Sequence, residues 1–355
     1  MKKLKVGVIG CGGMGGGHAA AYDYNPNVEI IGFCDIIPEK AQAFADKYNV
    51  KNVFKDYHDL LKLEGLDAVS IATPNYLHST ITVDALDAGI NVLCEKPDAV
   101  NTVEAQKMKD AAERSGKTLM VIRNNRFMPI SMYCKQYIEE GKMGEIYAAR
   151  CGWQRRRGIP GKGGWFTTKS QSGGGPLIDL GVHMIDLTMW LMGNPKPVSV
   201  TGCTYCKFAD TDVSDSIHSN FGEKKEDGIF DVEDLAMGFI RFENGACLQL
   251  EFSWASNIDH ESRYFELRGT KSGAMWSDRG GEKLRLFTEE NGKTVDIDPD
   301  VTNEGVSPHG ENVDHFVDVV LNGTEPLFVP EQGLNMVKIL EALYKSAETG
   351  REVIL

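Results

Sequence analysis

KVGVIGCGGMG, residues 5–15, decides the fold. An apolar, β-branched run ends on Gly10, and Gly10-Cys11-Gly12-Gly13-Met14-Gly15 then carries the spacing Gly-x-Gly-x-x-Gly. That spacing alone is a weak signal. Here a strand-like run precedes it, a helical pattern follows, and Asp35 closes the next strand-like run, EIIGFCD, twenty residues after Gly15, which is the context a dinucleotide fingerprint requires. In it, Gly10 allows a tight turn, Gly12 lets backbone N–H groups approach a pyrophosphate, and Gly15 permits close helix-to-strand packing. Asp35 suits the adenosine ribose hydroxyls and repels a 2′-phosphate, while Ile36 and Ile37 bring no cation to neutralise one. NAD is therefore expected over NADP.

Outward from this stretch the pattern repeats. KVGVIG, EIIGFCD, NVFKD, AVSIATP, NVLCEKP and TLMVIRN alternate with amphipathic segments such as PEKAQAFADKYN and VNTVEAQKMKDAAERSG. Apolar strands joined by helices imply a doubly wound parallel sheet covered on both faces. The rhythm then changes to a helix (PISMYCKQYIEEG), a long strand (EIYAARCGWQ), a glycine-rich loop, a strongly apolar helix and a succession of strands, with Glu243-Asn244-Gly245 as a hairpin turn. This predicts an α+β domain with an open, mainly antiparallel sheet. A chain of 355 residues exceeds what one core usually supports, so two domains are expected: residues 1–123 for the nucleotide and 124–355 for substrate and oligomerisation. The acidic segment Asp210–Asp234 reads as a surface excursion between strands.

A net charge of -13 excludes a phosphate-backbone partner. No apolar run is long enough to span a bilayer, and the N-terminus lacks the features of a secretory leader, so a cytoplasmic address is expected. The eight cysteines are scattered, mostly through apolar runs, which predicts reduced thiols. Cys203 and Cys206 have C-x-x-C spacing, but side chains three apart on a strand point to opposite faces. With no second pair at zinc-site spacing, no metal is expected.

Ligands of open parallel sheets sit beyond the carboxyl ends of the strands. Thr73-Pro74-Asn75, with His78 after it, and Glu95-Lys96-Pro97 occupy two such ends and so point at the cofactor. In the apolar helix from Pro176 to Met192, Asp179, His183 and Asp186 recur at spacings of four and three and share one face. A buried helix carries such a stripe only with a polar destination. Gly173-Gly174-Gly175 before it reads as a flexible loop that lets the helix N-terminus approach a ligand. Arg155, Arg156 and Arg157, with Trp165 and Phe166, are the substrate-side candidates, since bidentate donors and an aromatic face hold sugars.

These motifs together, with Asn124-x-Arg126-Phe127 and Gly-Gly-Gly-Pro-Leu-Ile-Asp179-Leu-Gly-Val-His183, resemble the glucose-fructose oxidoreductase/inositol dehydrogenase family, Gfo/Idh/MocA, over essentially the whole chain. The resemblance implies a Rossmann domain followed by a sheet domain whose outer face forms homodimers or homotetramers. It implies Lys96, Asp179 and His183 as the catalytic group and adds Asn124 and Arg126 to the cofactor side. The expected reaction moves a hydride between NAD and a secondary alcohol carbon of a sugar, cyclitol or glycoside. A histidine ordinarily titrates near neutrality and suits the hydroxyl proton; a lysine stabilises developing alkoxide charge. Which of Lys96 and His183 takes the proton stays open, with His183 preferred. The arginine-rich stretch followed by Gly-Ile-Pro and Trp-Phe resembles members that oxidise glycosides or anhydrosugars at the 3-position. Two other readings stand beside this one: an enzyme that recycles NAD while cleaving or epimerising a glycoside, and a non-catalytic dinucleotide-binding regulator.

Overall fold

The computed structural model describes residues 3–279, 281 and 283–355. The chain divides into two compact units, Met1–Asn124 with Ser307–Val337, and Asn125–Val306 with Lys338–Leu355.

In the first unit, strands β1 (Leu4–Ile9), β2 (Val28–Cys34), β3 (Val53–Phe54), β4 (Ala68–Ile71), β5 (Asn91–Cys94) and β6 (Leu119–Val121) form one parallel sheet in the order 3-2-1-4-5-6. This is the order of dinucleotide-binding sheets, with its reversal between β1 and β4. Helices α1 (Gly13–Tyr24), α2 (Pro38–Tyr48), α3 (Tyr57–Leu60), α4 (His78–Asp87) and α5 (Thr102–Ser115) connect the strands. Local chemistry sets their ends: Asn101 accepts from the Glu104 N–H at the start of α5, and Gly116 ends that helix in the left-handed region.

Order along the chain assigns Ser307–Val337 to the second domain; by packing it joins the first. Helix α9 (Pro308–Asn322) and the first part of α10 (Pro330–Thr349) belong to this unit. Val313, Phe316, Val317, Phe328 and Leu334 are buried in the same core as Val6, Val69 and Leu93.

The second unit holds α6 (Pro129–Glu139), β7 (Ile146–Gln154), α7 (Lys169–Ser172), a π-helical turn (Leu177–Gly181) running into α8 (Val182–Leu191), and strands β8 (Pro197–Tyr205), β9 (Leu235–Phe242), β10 (Cys247–Ser253), β11 (Ser262–Gly269), β12 (Gly273–Ser277), β13 (Lys283–Glu290), β14 (Lys293–Ile297) and β15 (Val353–Ile354). Their sheet runs 14-13-12-11-7-10-9-8-15. Only β7 and β10 pair in parallel; the remaining neighbours are antiparallel. The β9–β10 hairpin turns where expected, with Gly245 in the left-handed region. Along β10, Leu248, Leu250 and Phe252 are buried while Gln249 is exposed, the alternation of a sheet covered on one face. Between β8 and β9, the ordered element in residues 206–234 is the 3-10 turn Ile217–Asn220. All eight cysteines are free.

Candidate active site

At the reversal point of the parallel sheet, the glycine turn is built as its sequence requires. Gly10 sits at φ +97, and a Cβ there would lie 2.5 Å from the Ala72 carbonyl oxygen. A Cβ on Gly15 would lie 1.9 Å from the Gly10 carbonyl oxygen, so helix and strand touch through backbone. Gly12 differs: its backbone is extended, it caps α1 without a side-chain hydrogen bond, and a Cβ would meet no described atom within 4 Å. Its lack of a side chain answers to no neighbour among the described residues. The uncapped N–H groups behind it are the anion-binding end of a helix. Asp35 braces this turn, accepting from Cys11 N–H (2.8 Å) and Ile37 N–H (2.8 Å). Burial, with Asp35 next to it, pushes the Cys11 thiol up to about 12, so it stays protonated.

Two polar atoms at strand ends have no hydrogen-bond partner among the described residues: Thr73 Oγ1 after β4 and Asn124 Oδ1 after β6. Buried polar atoms ordinarily find partners. Together with Gly12 and the strand order, they fit a bound dinucleotide.

Lys96 follows β5 and is the one residue from Val92 to Ala99 that is not buried. Glu95 beside it is 4% exposed. His18 Nε2 (2.9 Å) and His309 Nε2 (3.3 Å) lie against its Oε1, and the Lys96 N–H donates to its Oε2 (3.1 Å). Burial pushes the Glu95 carboxyl up, but hydrogen bonds from the two histidines overcome it and hold the group well below its ordinary range. Burial pushes His18 down; its Nδ1 lies 2.7 Å from Ser70 Oγ, itself bonded to Tyr22. Within the described residues, therefore, Glu95 is engaged by a histidine network. His78 is likewise fully buried, its ring nitrogens 2.7 Å from the Pro97 carbonyl and 2.9 Å from that of Thr73. It ties the two cofactor-facing tripeptides to each other. His18 stands three residues after Gly15, a signal that was legible; His309 comes from α9 and left none.

In the second unit, from Gly174 to Leu191 every residue is buried except Asp179 and His183. The start of this helix is held from outside itself. Glu233 accepts from Gly175 N–H (3.0 Å), Leu177 N–H (3.1 Å) and the Tyr344 hydroxyl (2.9 Å), placing a carboxyl on the helix's positive end. Burial pushes Glu233 up from the ordinary carboxyl range. Close packing, rather than flexibility, demands glycine at 174 and 175: a Cβ on Gly174 would lie 2.0 Å from Tyr344 Oη, and one on Gly175 2.0 Å from the Glu233 carbonyl oxygen. Gly173 sits in the left-handed region. Asp186, read as part of the polar stripe, is buried against Arg126, Nε to Oδ2 2.8 Å and Nη2 to Oδ1 2.6 Å. Arg126, expected on the cofactor side, is fully buried in this bidentate pair.

Around Asp179 the structure gathers Trp254, whose Nε1 donates to Oδ2 (3.0 Å), and Arg155, with Nη1 4.0 Å from the same oxygen. Trp153 lies 6.0 Å, ring to ring, from His183, and the Arg155 guanidinium lies 5.1 Å from the Trp153 ring. The other two arginines go elsewhere. Arg156 is exposed and pairs with Asp215 (3.2 Å), and Arg157 donates to Ser256 O (2.8 Å) and Asn257 Oδ1 (2.6 Å). Trp165 stacks on Phe166 at 3.8 Å, and Phe166 packs on Phe221.

Two family models match the chain: the oxidoreductase family Gfo/Idh/MocA, NAD-binding Rossmann fold, over residues 4–123, and the C-terminal alpha/beta domain of the same oxidoreductase family over residues 135–355. The chain belongs to the Gfo/Idh/MocA oxidoreductases. Among relatives of this oxidoreductase, D-glucoside 3-dehydrogenase of Escherichia coli (strain K12) is 34% identical over 99% of this chain and 97% of its own. Levoglucosan dehydrogenase of Pseudarthrobacter phenanthrenivorans is 30% identical over 81% of this chain and 76% of its own. A solved structure of levoglucosan dehydrogenase in complex with NADH and levoglucosan superposes with a TM-score of 0.86 at 25% identity, covering 99% of each chain. GenD2 from gentamicin A biosynthesis, in complex with NAD, gives 0.80 at 27% identity over 100% of this chain and 97% of its own.

Proposed function

We propose that this Gfo/Idh/MocA oxidoreductase uses NAD to oxidise a secondary alcohol on the ring of a glycoside or related sugar, with the 3-position as the oxidised carbon. The observation that carries the reading is the accessibility pattern: within a buried helix, the two side chains left partly open are an imidazole and a carboxylate, the pair that proton transfer from a hydroxyl requires. Its likeness to a glucoside 3-dehydrogenase along nearly the full length of both chains supports the substrate class and the position.

Bound NAD supplies the nicotinamide carbon that takes the hydride. Gly10, Gly12, Gly13, Met14 and Gly15 hold its pyrophosphate on the N-terminus of α1; Thr73, Pro74, Asn75, Pro97 and Asn124 form the rest of its bed. Asp35 receives the ribose hydroxyls, and with Ile36 and Ile37 rather than a cation following it, NAD is preferred over NADP. His183 accepts the hydroxyl proton, Lys96 stabilises the alkoxide as it forms, and Asp179, steadied by Trp254 and Arg155, orients the imidazole or a neighbouring hydroxyl. Electrostatic stabilisation aimed at developing charge is the larger part of such catalysis. We place the enzyme in the cytoplasm, in keeping with its free thiols, as a homodimer or homotetramer.

The test is a spectrophotometric screen of inositols, monosaccharides and glycosides with NAD, followed by NMR of the product. A glycoside is expected to give a 3-keto product with stoichiometric NADH. His183→Ala should lower kcat by roughly 10² to 10⁴-fold; a kcat within threefold of wild type would remove His183 from the role of base.

A further inference from the structure

We propose that the excursion between β8 and β9 carries a subsite for the second ring of a disaccharide-like substrate, with His218 and Glu261 as its polar contacts. The proposal rests on the glycoside reading above and goes beyond it, because oxidation of the first ring does not require a second.

Trp153 is the shared wall. Its ring lies 6.0 Å from that of His183 and 6.1 Å from that of His218, with the Arg155 and Arg263 guanidinium groups each 5.1 Å from it, so the indole stands between the two imidazoles and is within one sugar ring's reach of both. The excursion that brings His218 there is pinned by backbone hydrogen bonds from Asp215 to Arg157 (3.2 Å), Lys225 to Lys162 (2.9 Å) and Asp231 to Thr167 (3.1 Å). Those bonds hold an irregular segment in one place.

Glu261 is the second half of the site. Trp153 Nε1 (3.0 Å), His218 Nε2 (3.3 Å) and Arg155 Nε (3.6 Å) converge on its Oε1, and Ser216 Oγ lies 3.2 Å from its Oε2. Burial opposes the charge, but the bonds from His218 and Trp153 and the nearby Arg155 bring the carboxyl down to about 2, so it is ionised at any working pH. The Glu261 and His218 side chains are nonetheless 30% and 37% exposed. A fixed carboxylate beside an imidazole, both reachable from solvent, can take adjacent hydroxyls of a pyranose. Ile217, 83% exposed on the same short turn, offers apolar surface to C–H groups.

The test is calorimetric titration of the enzyme loaded with NADH, which cannot accept a hydride from the sugar, using glucose, maltose and cellobiose as probes, for wild type and His218→Ala. His218 lies on an exposed turn, and far-UV circular dichroism checks the variant's fold. At least one disaccharide is expected to bind wild type tenfold or more tightly than glucose, and to lose that margin in the variant. Equal binding of glucose and both disaccharides to wild type, or a margin that survives in His218→Ala, would overturn the proposal. Because the readout is binding, NADH formation separately judges the dehydrogenase reading.

Discussion

Gly12 and Gly15 occupy the same motif but answer to different demands. A Cβ on Gly15 runs into the Gly10 carbonyl, whereas one on Gly12 meets no described atom. Gly12→Ala should therefore melt within about 2 °C of wild type yet lose at least tenfold in NAD affinity, since its methyl would stand where the pyrophosphate must approach. Gly15→Ala should lower the melting temperature by several degrees with or without NAD; thermal melts at rising NAD concentration separate the two. Asp35→Ser should raise the ratio of kcat/KM for NADP over NAD at least tenfold by removing the carboxylate that repels a 2′-phosphate; an unchanged ratio would assign cofactor choice elsewhere. The glycine turn, the strand-end position of Lys96 and the shared face of Asp179 and His183 were legible because each is a local pattern. His78 and Arg126 were not, because the groups that engage them, the Pro97 carbonyl and Asp186, lie 19 and 60 residues away. A sequence shows that a polar side chain exists but not which distant group satisfies it.

The helix that carries Asp179 and His183 depends on other elements for its position. Glu233 holds its N-terminal N–H groups, and the Arg126–Asp186 pair anchors its middle. Breaking a buried pair strands the other charge, which costs about 3 to 5 kcal/mol. Asp186→Ala should therefore shift the urea midpoint strongly downward, while R126M/D186L, an apolar pair of similar volume, should recover most of the loss. If the double variant is no more stable than the single one, the cost comes from packing rather than from the stranded guanidinium. The apolar helix and its polar stripe were readable from periodicity. The π-helical start at Leu177–Gly181 and the cap supplied by Glu233 were not, since Glu233 sits at the end of an acidic run whose composition reads as solvated surface.

At the scale of the molecule, the alternation of strands and helices was enough to read a parallel sheet followed by a mainly antiparallel one. The return of residues 307–337 to the first unit was hidden, because an amphipathic helix shows that it has an apolar face and not which core receives it. That return delivers His309 to Glu95 and builds a charge network with a measurable signature. His18 and His78 are lowered in the folded state by burial, so the stability they reflect is whole above the ordinary histidine range and lost as pH falls below about 6.5. Glu95 and Glu261 are depressed, so their contribution is present above about 4.5 and lost as pH falls through their lowered ranges, that of Glu261 towards about 2. Glu233 is raised, so its opposing gain falls above about 4.5 and offsets part of the first decline. Melting temperature should thus begin to fall below pH 6.5; a curve flat down to pH 4.5 would contradict the lowering of His18 and His78 by burial.

In the proposed reaction hydride passes from a ring carbon to the nicotinamide while His183 takes the proton. It is tested most directly with methyl glucoside deuterated at C3, NAD and the full-length enzyme, reading the nicotinamide by mass spectrometry. One deuterium in each NADH formed, one 3-keto product per NADH, and formation at least a hundredfold slower in His183→Ala are expected. NADH that carries no deuterium, or label transfer undiminished in His183→Ala, would contradict it.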